Sequence, residues 1–151
     1  MILIIMAKLK SENASAAIII DKKNNFLLQK RDNKKNIFFP NHIGLFGGAK
    51  NYNESYVQAL KRELKEEIGF TPQNINFFMK LSFDFKNKKI LRYVYICKVN
   101  VLNKKKINLT EGAGFTILSF FKIKSQLNNK NLFVPYDQMA LWLYINKNRI
   151  I

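Results

Sequence analysis

From Ala14 to Ile20 the chain is small and β-branched, and it then breaks into the polar cluster Asp21-Lys22-Lys23-Asn24-Asn25. Phe26-Leu27-Leu28-Gln29-Lys30-Arg31 resumes the apolar run. Two such runs divided by turn formers predict a β-hairpin. Asp32 to Asn36 is polar and reads as a loop. Ile37 to Gly48 is irregular, mixing aromatic residues with Pro40, His42 and three glycines. The period then changes. Val57, Leu60, Leu64 and Ile68 recur at i, i+3, i+7 and i+11, one apolar stripe on a helix over Asn53 to Gly69. Ser55 and Gln58 supply a capping box at its start, and Gly69, ahead of Thr71-Pro72, stops it as a left-handed cap. Phe77 to Phe85 and Ile90 to Val101 read as strands turning at Asn87-Lys88-Lys89, with Thr116 to Phe121 as another. Lys104-Lys105-Lys106 reads as a charged loop. After Pro135, Asp137 is placed to cap a helix reaching about Asn146, with Ala140, Leu143 and Tyr144 on one face. Strands around a central helix, with a second helix at the end, predict an α/β or α+β sandwich. No repeat or Pro/Gly/Ser-rich linker divides the 151 residues, so residues 1–151 read as one domain.

Composition adds one odd number. Lys and Arg total 26 against 10 Asp and Glu, a formal charge of +16. That excess points to a polyanion: nucleic acid, phosphates or an anionic membrane surface. It also has a plainer source. The basic residues are 22 Lys and only 4 Arg, beside 19 Asn and 18 Ile, all residue types except Arg having A/T-rich codons. Arg, the residue of bidentate phosphate recognition, is scarce. Other classes fall away quickly. The single cysteine, Cys97, allows no internal disulfide and lies in an apolar run, as a buried thiol would. The single histidine, His42, excludes a His-rich metal site. No apolar run approaches the roughly 18–20 residues of a membrane span. Residues 1–10 open on an apolar stretch without a basic region before it, and read as an edge strand or a frayed leader. A cytoplasmic protein, monomer or homodimer, without a membrane partner is the expectation.

The acids carry the chemistry. Of six Glu, four fall between positions 54 and 67. On the predicted helix Glu63, Glu66 and Glu67 span an arc of about 100°, beside the apolar stripe. Glu63 repels Glu66 and Glu67 at i,i+3 and i,i+4, and a hard divalent cation would relieve that repulsion. Taken alone, the face reads better as a solvated one balanced by Lys61, Arg62 and Lys65. The preceding loop, Gly44-Leu45-Phe46-Gly47-Gly48, tips the reading, because paired glycines let a backbone approach a ligand closely.

Gly48 to Phe70 resembles the signature of the Nudix hydrolase family, G-x5-E-x7-R-E-U-x-E-E-x-G-U, where U is a bulky apolar residue. Gly48, Glu54, Arg62, Glu63, Leu64, Glu66, Glu67, Gly69 and Phe70 meet every specified position. Phe46-Gly47-Gly48 departs from the Pro-Gly-Gly common before the signature. Outside it the likeness is one of general layout.

The resemblance implies an α/β/α sandwich, with a mixed central sheet flanked by the signature helix and a C-terminal helix. It also implies hydrolysis of a nucleoside diphosphate linked to another group, with Mg²⁺ or Mn²⁺ as cofactor. Glu66 and Glu67 would ligate the metal, helped by Glu63, the Gly47 carbonyl and Glu111 from Thr110-Glu111-Gly112. Glu63 and Glu111 are both candidates for the general base. Arg62 would orient Glu63, and Glu54 would brace the loop. Gly48, Leu64 and Gly69 would serve the backbone and core. Lys30 and Arg31 are candidate phosphate contacts, and Asp137 a candidate base contact. Phe38, Phe39 and Phe46 are open to base stacking or core packing, and His42 to the cleft or a structural hydrogen bond. The expected substrate is a small nucleotide, a (d)NTP or nucleotide sugar. An RNA 5′-pyrophosphohydrolase using the basic surface, or a non-catalytic nucleotide-binding module, is the alternative.

Overall fold

The computed structural model describes residues 13–85, 87–110 and 112–147; the expected N-terminal strand or leader at 1–10, and Glu111, lie outside them. Strands β1 (Asn13–Asp21) and β2 (Asn25–Lys30) form the expected hairpin, with Ile19 opposite Leu27. Asp21 shapes its turn. The amides of Lys23 and Asn25 each donate to its carboxylate at 2.9 Å, and Asn24 takes a positive φ of 60°. The stretch read as irregular holds two short strands, β3 (Ile43–Gly44) on β2 and β4 (Phe46–Ala49) on β1. Helix α1 (Tyr56–Ile68) begins at the Ser55–Gln58 capping box and ends at Gly69 with φ 80°. Strands β5 (Asn74–Phe85) and β6 (Lys88–Val99) form a long hairpin, and β7 (Gly114–Ser119) pairs with β2. Helices α2 (Phe120–Gln126) and α3 (Pro135–Asn146) close the chain.

Three expectations are corrected. Phe85 pairs directly with Lys88, so Lys88 and Lys89 belong to β6 and not to the turn. The strand foreseen to Phe121 ends at Ser119, whose hydroxyl accepts the Lys122 amide at 3.2 Å and caps α2. Asp137 does not cap α3. The helix begins two residues earlier at Pro135, whose missing N–H costs nothing there, and its N-cap is Val134, without a side-chain bond.

The sheet is mixed. Its spatial order is β3-β2-β1-β6-β5, with β1 running parallel to β6 and antiparallel to its other partners. Because strand side chains alternate, the central strand feeds two cores. Ala16, Ile18 and Ile20 pack with Ile123 of α2 and Ala140 and Leu141 of α3. Ala17 and Ile19 pack with Leu60, Leu64 and Ile68 of α1. This is the three-layer arrangement expected, with α1 on one face and α2 and α3 on the other. Cys97 lies in the second core, where burial pushes its thiol up to about 12 and keeps it neutral at ordinary pH. Among the described residues no helix is long and apolar enough to cross a membrane.

Candidate functional site

The site starts from the pairing of β4 with β1, which sets Gly47 opposite Ala16 and Gly48 opposite Ser15. A side chain at either position would collide, with different partners. Gly47 has a φ of 144°, and a Cβ there would sit 2.1 Å from the Ser15 carbonyl oxygen. At Gly48 a Cβ would strike the Glu63 carboxylate, 2.5 Å from its carbon and 2.7 Å from either oxygen. The glycine pair therefore lies between the central strand and the acidic face of α1. Glu67, only 5% exposed, accepts the Gly47 N–H at 3.2 Å.

Arg62 ties the elements together. It donates to both Glu54 oxygens at 3.1 and 2.6 Å, to Glu63 at 2.7 Å and to the Ala49 carbonyl at 3.0 Å, and it lies 3.6 Å from Glu66. Glu54 in turn accepts the Asn51 amide at 2.7 Å. The Arg62 guanidinium, seconded by that amide, holds the Glu54 carboxyl below its ordinary value of 4.5, and the same bonds push Arg62 further up. A lowered carboxyl stabilises the fold fully above its unfolded value, and the contribution is lost as pH falls through the lower folded one. Glu54→Gln is therefore expected to lower the melting temperature near neutrality by about 2–4 °C, for roughly 1 kcal/mol. The gap from wild type should narrow as pH falls below the ordinary carboxyl value of 4.5. Melting curves from pH 3 to 7 check this; a gap that widens in acid would contradict the assignment.

The C-terminal end of α1 is met by the incoming loop. Asn108 N–H donates to Ile68 O at 3.2 Å, Thr110 N–H to Glu67 O at 3.1 Å, and the Thr110 hydroxyl to Glu66 O. Thr110 is thus fastened to the two residues that bear the second and third carboxylates. The next residue is Glu111, outside the described residues.

Among the described residues no three His, Cys, Asp or Glu side chains converge as a ready metal cage. Glu63 turns to Arg62 and Gly48, Glu67 to the Gly47 amide, and the Glu66 side chain stays 59% exposed. The donor chemistry nonetheless suits Mg²⁺ or Mn²⁺. It comprises carboxylate oxygens on successive turns of one helix face and the Gly47-Gly48 backbone of β4 beside them.

A second feature lies on the opposite face of the sheet. A cleft of about 360 Å³ is walled by Phe38, Phe39, Phe83, Tyr136 and Met139, with Ala14 and Arg92 among its lining. Tyr136 stacks on Phe83 at 5.2 Å, and the Arg92 guanidinium lies 4.7 Å from the Tyr136 ring centre. Burial pushes the Tyr136 phenol up, so it stays protonated at neutral pH. Asp137, 2% exposed, accepts from Arg92 Nε at 3.1 Å and Nη2 at 2.8 Å, and from the Leu45 amide at 2.9 Å. Gly44 makes room for it: a Cβ there would meet Asp137 Oδ2 at 2.8 Å.

The remaining sequence candidates divide. Lys30 is exposed at the end of β2, where its carbonyl accepts the Ala113 amide. Arg31 spends its Nε on the Phe38 carbonyl at 2.8 Å, so it shapes the cleft wall. His42 makes the structural hydrogen bond, Nδ1 to Pro40 O at 2.7 Å. Phe46 is fully buried under α1, whereas Phe38 and Phe39 reach the cleft. Arg92 was not among the sequence candidates. Its signal was an Arg alone in the apolar strand Ile90-Leu91-Arg92-Tyr93-Val94, in a chain with only four.

Comparisons with known proteins follow this layout. Residues 10–138 match the NUDIX domain family. An 8-oxo-dGTP diphosphatase of Buchnera aphidicola is 42% identical over 66 residues, 43% of this chain and 48% of that protein. The chain thus spans about half the length of that relative. The 8-oxo-dGTP diphosphatase of Escherichia coli is 28% identical over 88 residues, 58% of this chain and 67% of that protein. A MutT protein from Methanosarcina mazei superposes with a TM-score of 0.71 at 23% identity, covering 94% of this chain and 97% of its own. The E. coli dihydroneopterin triphosphate pyrophosphohydrolase gives 0.73 at 14% identity, covering 91% and 97%. At such identities the structural likeness speaks for the fold alone.

Proposed function

The chain belongs to the Nudix family, and from that membership we propose that it is a divalent-metal-dependent pyrophosphohydrolase. It would cleave a (deoxy)nucleoside triphosphate to the monophosphate and pyrophosphate. The observation that carries this is the seating of Gly47 and Gly48 against the acidic face of α1, with Arg62 binding Glu54, Glu63 and Glu66 into one network. The two relatives named as 8-oxo-dGTP diphosphatases support a triphosphate over a nucleotide sugar.

Glu63, Glu66, Glu67 and the Gly47 carbonyl, with Glu111, would hold Mg²⁺ or Mn²⁺. When bound, such a cation would supply charge neutralisation at the phosphates and would make a water there more acidic. Glu63 or Glu111 accepts the proton that the attacking water sheds. Arg62, fixed by Glu54 and Ala49, holds Glu63 in place for that task. Lys30 draws the phosphates in, Arg31 and Phe38 shape the entrance, and the aromatic cleft receives the base.

A panel of dNTPs, nucleotide sugars and dinucleotides with Mg²⁺ or Mn²⁺, its products identified by mass, tests the reading. The expected products are a nucleoside monophosphate and pyrophosphate from one or more triphosphates. Turnover of nucleotide sugars alone would overturn the substrate class. Nucleotide binding with no metal-dependent release of phosphate or pyrophosphate would overturn the activity.

A further inference from the structure

We propose that Arg92 determines base specificity in the aromatic cleft by donating to the 6-oxo group of a purine. This rests on the nucleoside triphosphate reading above. Arg92 carries the only formal charge among the described residues that line the cleft. Asp137, the base contact implied by the family resemblance, is 2% exposed and has both oxygens engaged, Oδ2 by the Leu45 amide and Oδ1 by Arg92. It is the holder of Arg92, and Arg92 meets the base.

The guanidinium geometry supplies the reader. A guanidinium has five N–H donors. Asp137 takes the side-on pair, Nε and Nη2. The end-on fork of Nη1 and the second Nη2 hydrogen is left for a ligand. Its direction is fixed twice, by the ion pair and by the Tyr136 ring beneath it. Asp137 also neutralises the charge, so Arg92 offers directed donors and not a bare cation for phosphate. Ala14, the cross-strand partner of Arg92 and itself part of the lining, keeps the floor open beside it.

Fixed donors in a largely apolar cleft select an acceptor. A carbonyl oxygen at position 6 of a purine satisfies them, as Arg satisfies the O6 of guanine in nucleic-acid recognition. A 6-amino group sets N–H against N–H and leaves buried donors unpaired. The cleft volume and its aromatic walls suit a bicyclic base stacked beside Phe83 and Tyr136.

The test needs the wild-type protein first. Two substrate pairs differ only in a 6-oxo group with its ring N–H against a 6-amino group: dITP with dATP, and dGTP with the 2,6-diaminopurine deoxynucleoside triphosphate. The oxo member of each should have a kcat/KM about tenfold or more higher, as one good contact of this kind gives. In Arg92→Met/Asp137→Asn, which leaves no buried charge unpaired, the ratio should fall to within about twofold of unity. Arg92→Lys, which lacks the fork, should lower it as well. A wild-type ratio near one overturns the proposal, and so does a ratio that survives in both variants. Hydrolysis without base preference sinks Arg92 alone; no hydrolysis of any triphosphate sinks the parent reading with it.

Discussion

Glu67→Gln should lower kcat by about a hundredfold to a thousandfold, the scale seen when one preorganised electrostatic contact to a transition state is removed. Glu67 is nearly buried yet sits at the margin of the acidic face, with its Oε2 on the Gly47 amide at 3.2 Å. Gln keeps the shape and an acceptor oxygen for that amide, so the β4–α1 seam should stand. What it removes is one formal negative charge from the donor set that would hold the cation. The loss should therefore appear in turnover and in Mn²⁺ affinity, with the melting temperature within about 2–4 °C of wild type, a change of 1 kcal/mol or less. Steady-state kinetics, Mn²⁺ titration and a melting curve separate these. Near-normal turnover would remove Glu67 from the metal ligands.

The same contrast between local and distant partners explains what could be read from the chain. The extent of α1 was legible because its signals are local: a capping box, an apolar stripe and a terminating glycine within seventeen residues. The acidic face followed from helical spacing alone. By contrast β3 and β4 are held by partners on β2 and β1, 13 to 35 residues away, and their sequence has no alternation of its own. Helix α2 is seven residues long, too short for a helical period to emerge, and Phe120-Phe121 looks like the continuation of a strand. Asp137 was visible as a helix-start acid, but its true partner Arg92 lies 45 residues earlier. A buried ion pair leaves no local pattern; only the isolated Arg in an apolar strand hinted at it. The charge of +16 divides the same way: Arg62 draws Glu54, Glu63 and Glu66 into one locally acidic cluster within a basic chain.

Gly47→Ala and Gly48→Ala are neighbouring changes of one methyl group, and they should fail in opposite ways. At position 47 the new Cβ meets backbone: the Ser15 carbonyl oxygen at 2.1 Å and the Ala16 Cα at 2.8 Å. The φ of 144° adds strain that no L side chain escapes cheaply. Neither partner can yield without parting β4 from the central strand. The expected cost is about 3 kcal/mol or more, a fall of roughly 6–12 °C in melting temperature. At position 48 the Cβ meets the flexible end of Glu63, 2.5 Å from its carboxyl carbon. That carboxylate can swing aside, so the fold should lose only about 1 kcal/mol. In swinging it leaves both β4 and Arg62 Nη1, now 2.7 Å away, and with them the position from which it would serve water or metal. Gly48→Ala should therefore melt within a few degrees of wild type and lose about tenfold or more in kcat, in keeping with the cost of an ångström's misplacement. A Gly47→Ala protein as stable as wild type would contradict the β1–β4 register. Full activity in Gly48→Ala would show that the seat of Glu63 has no part in turnover.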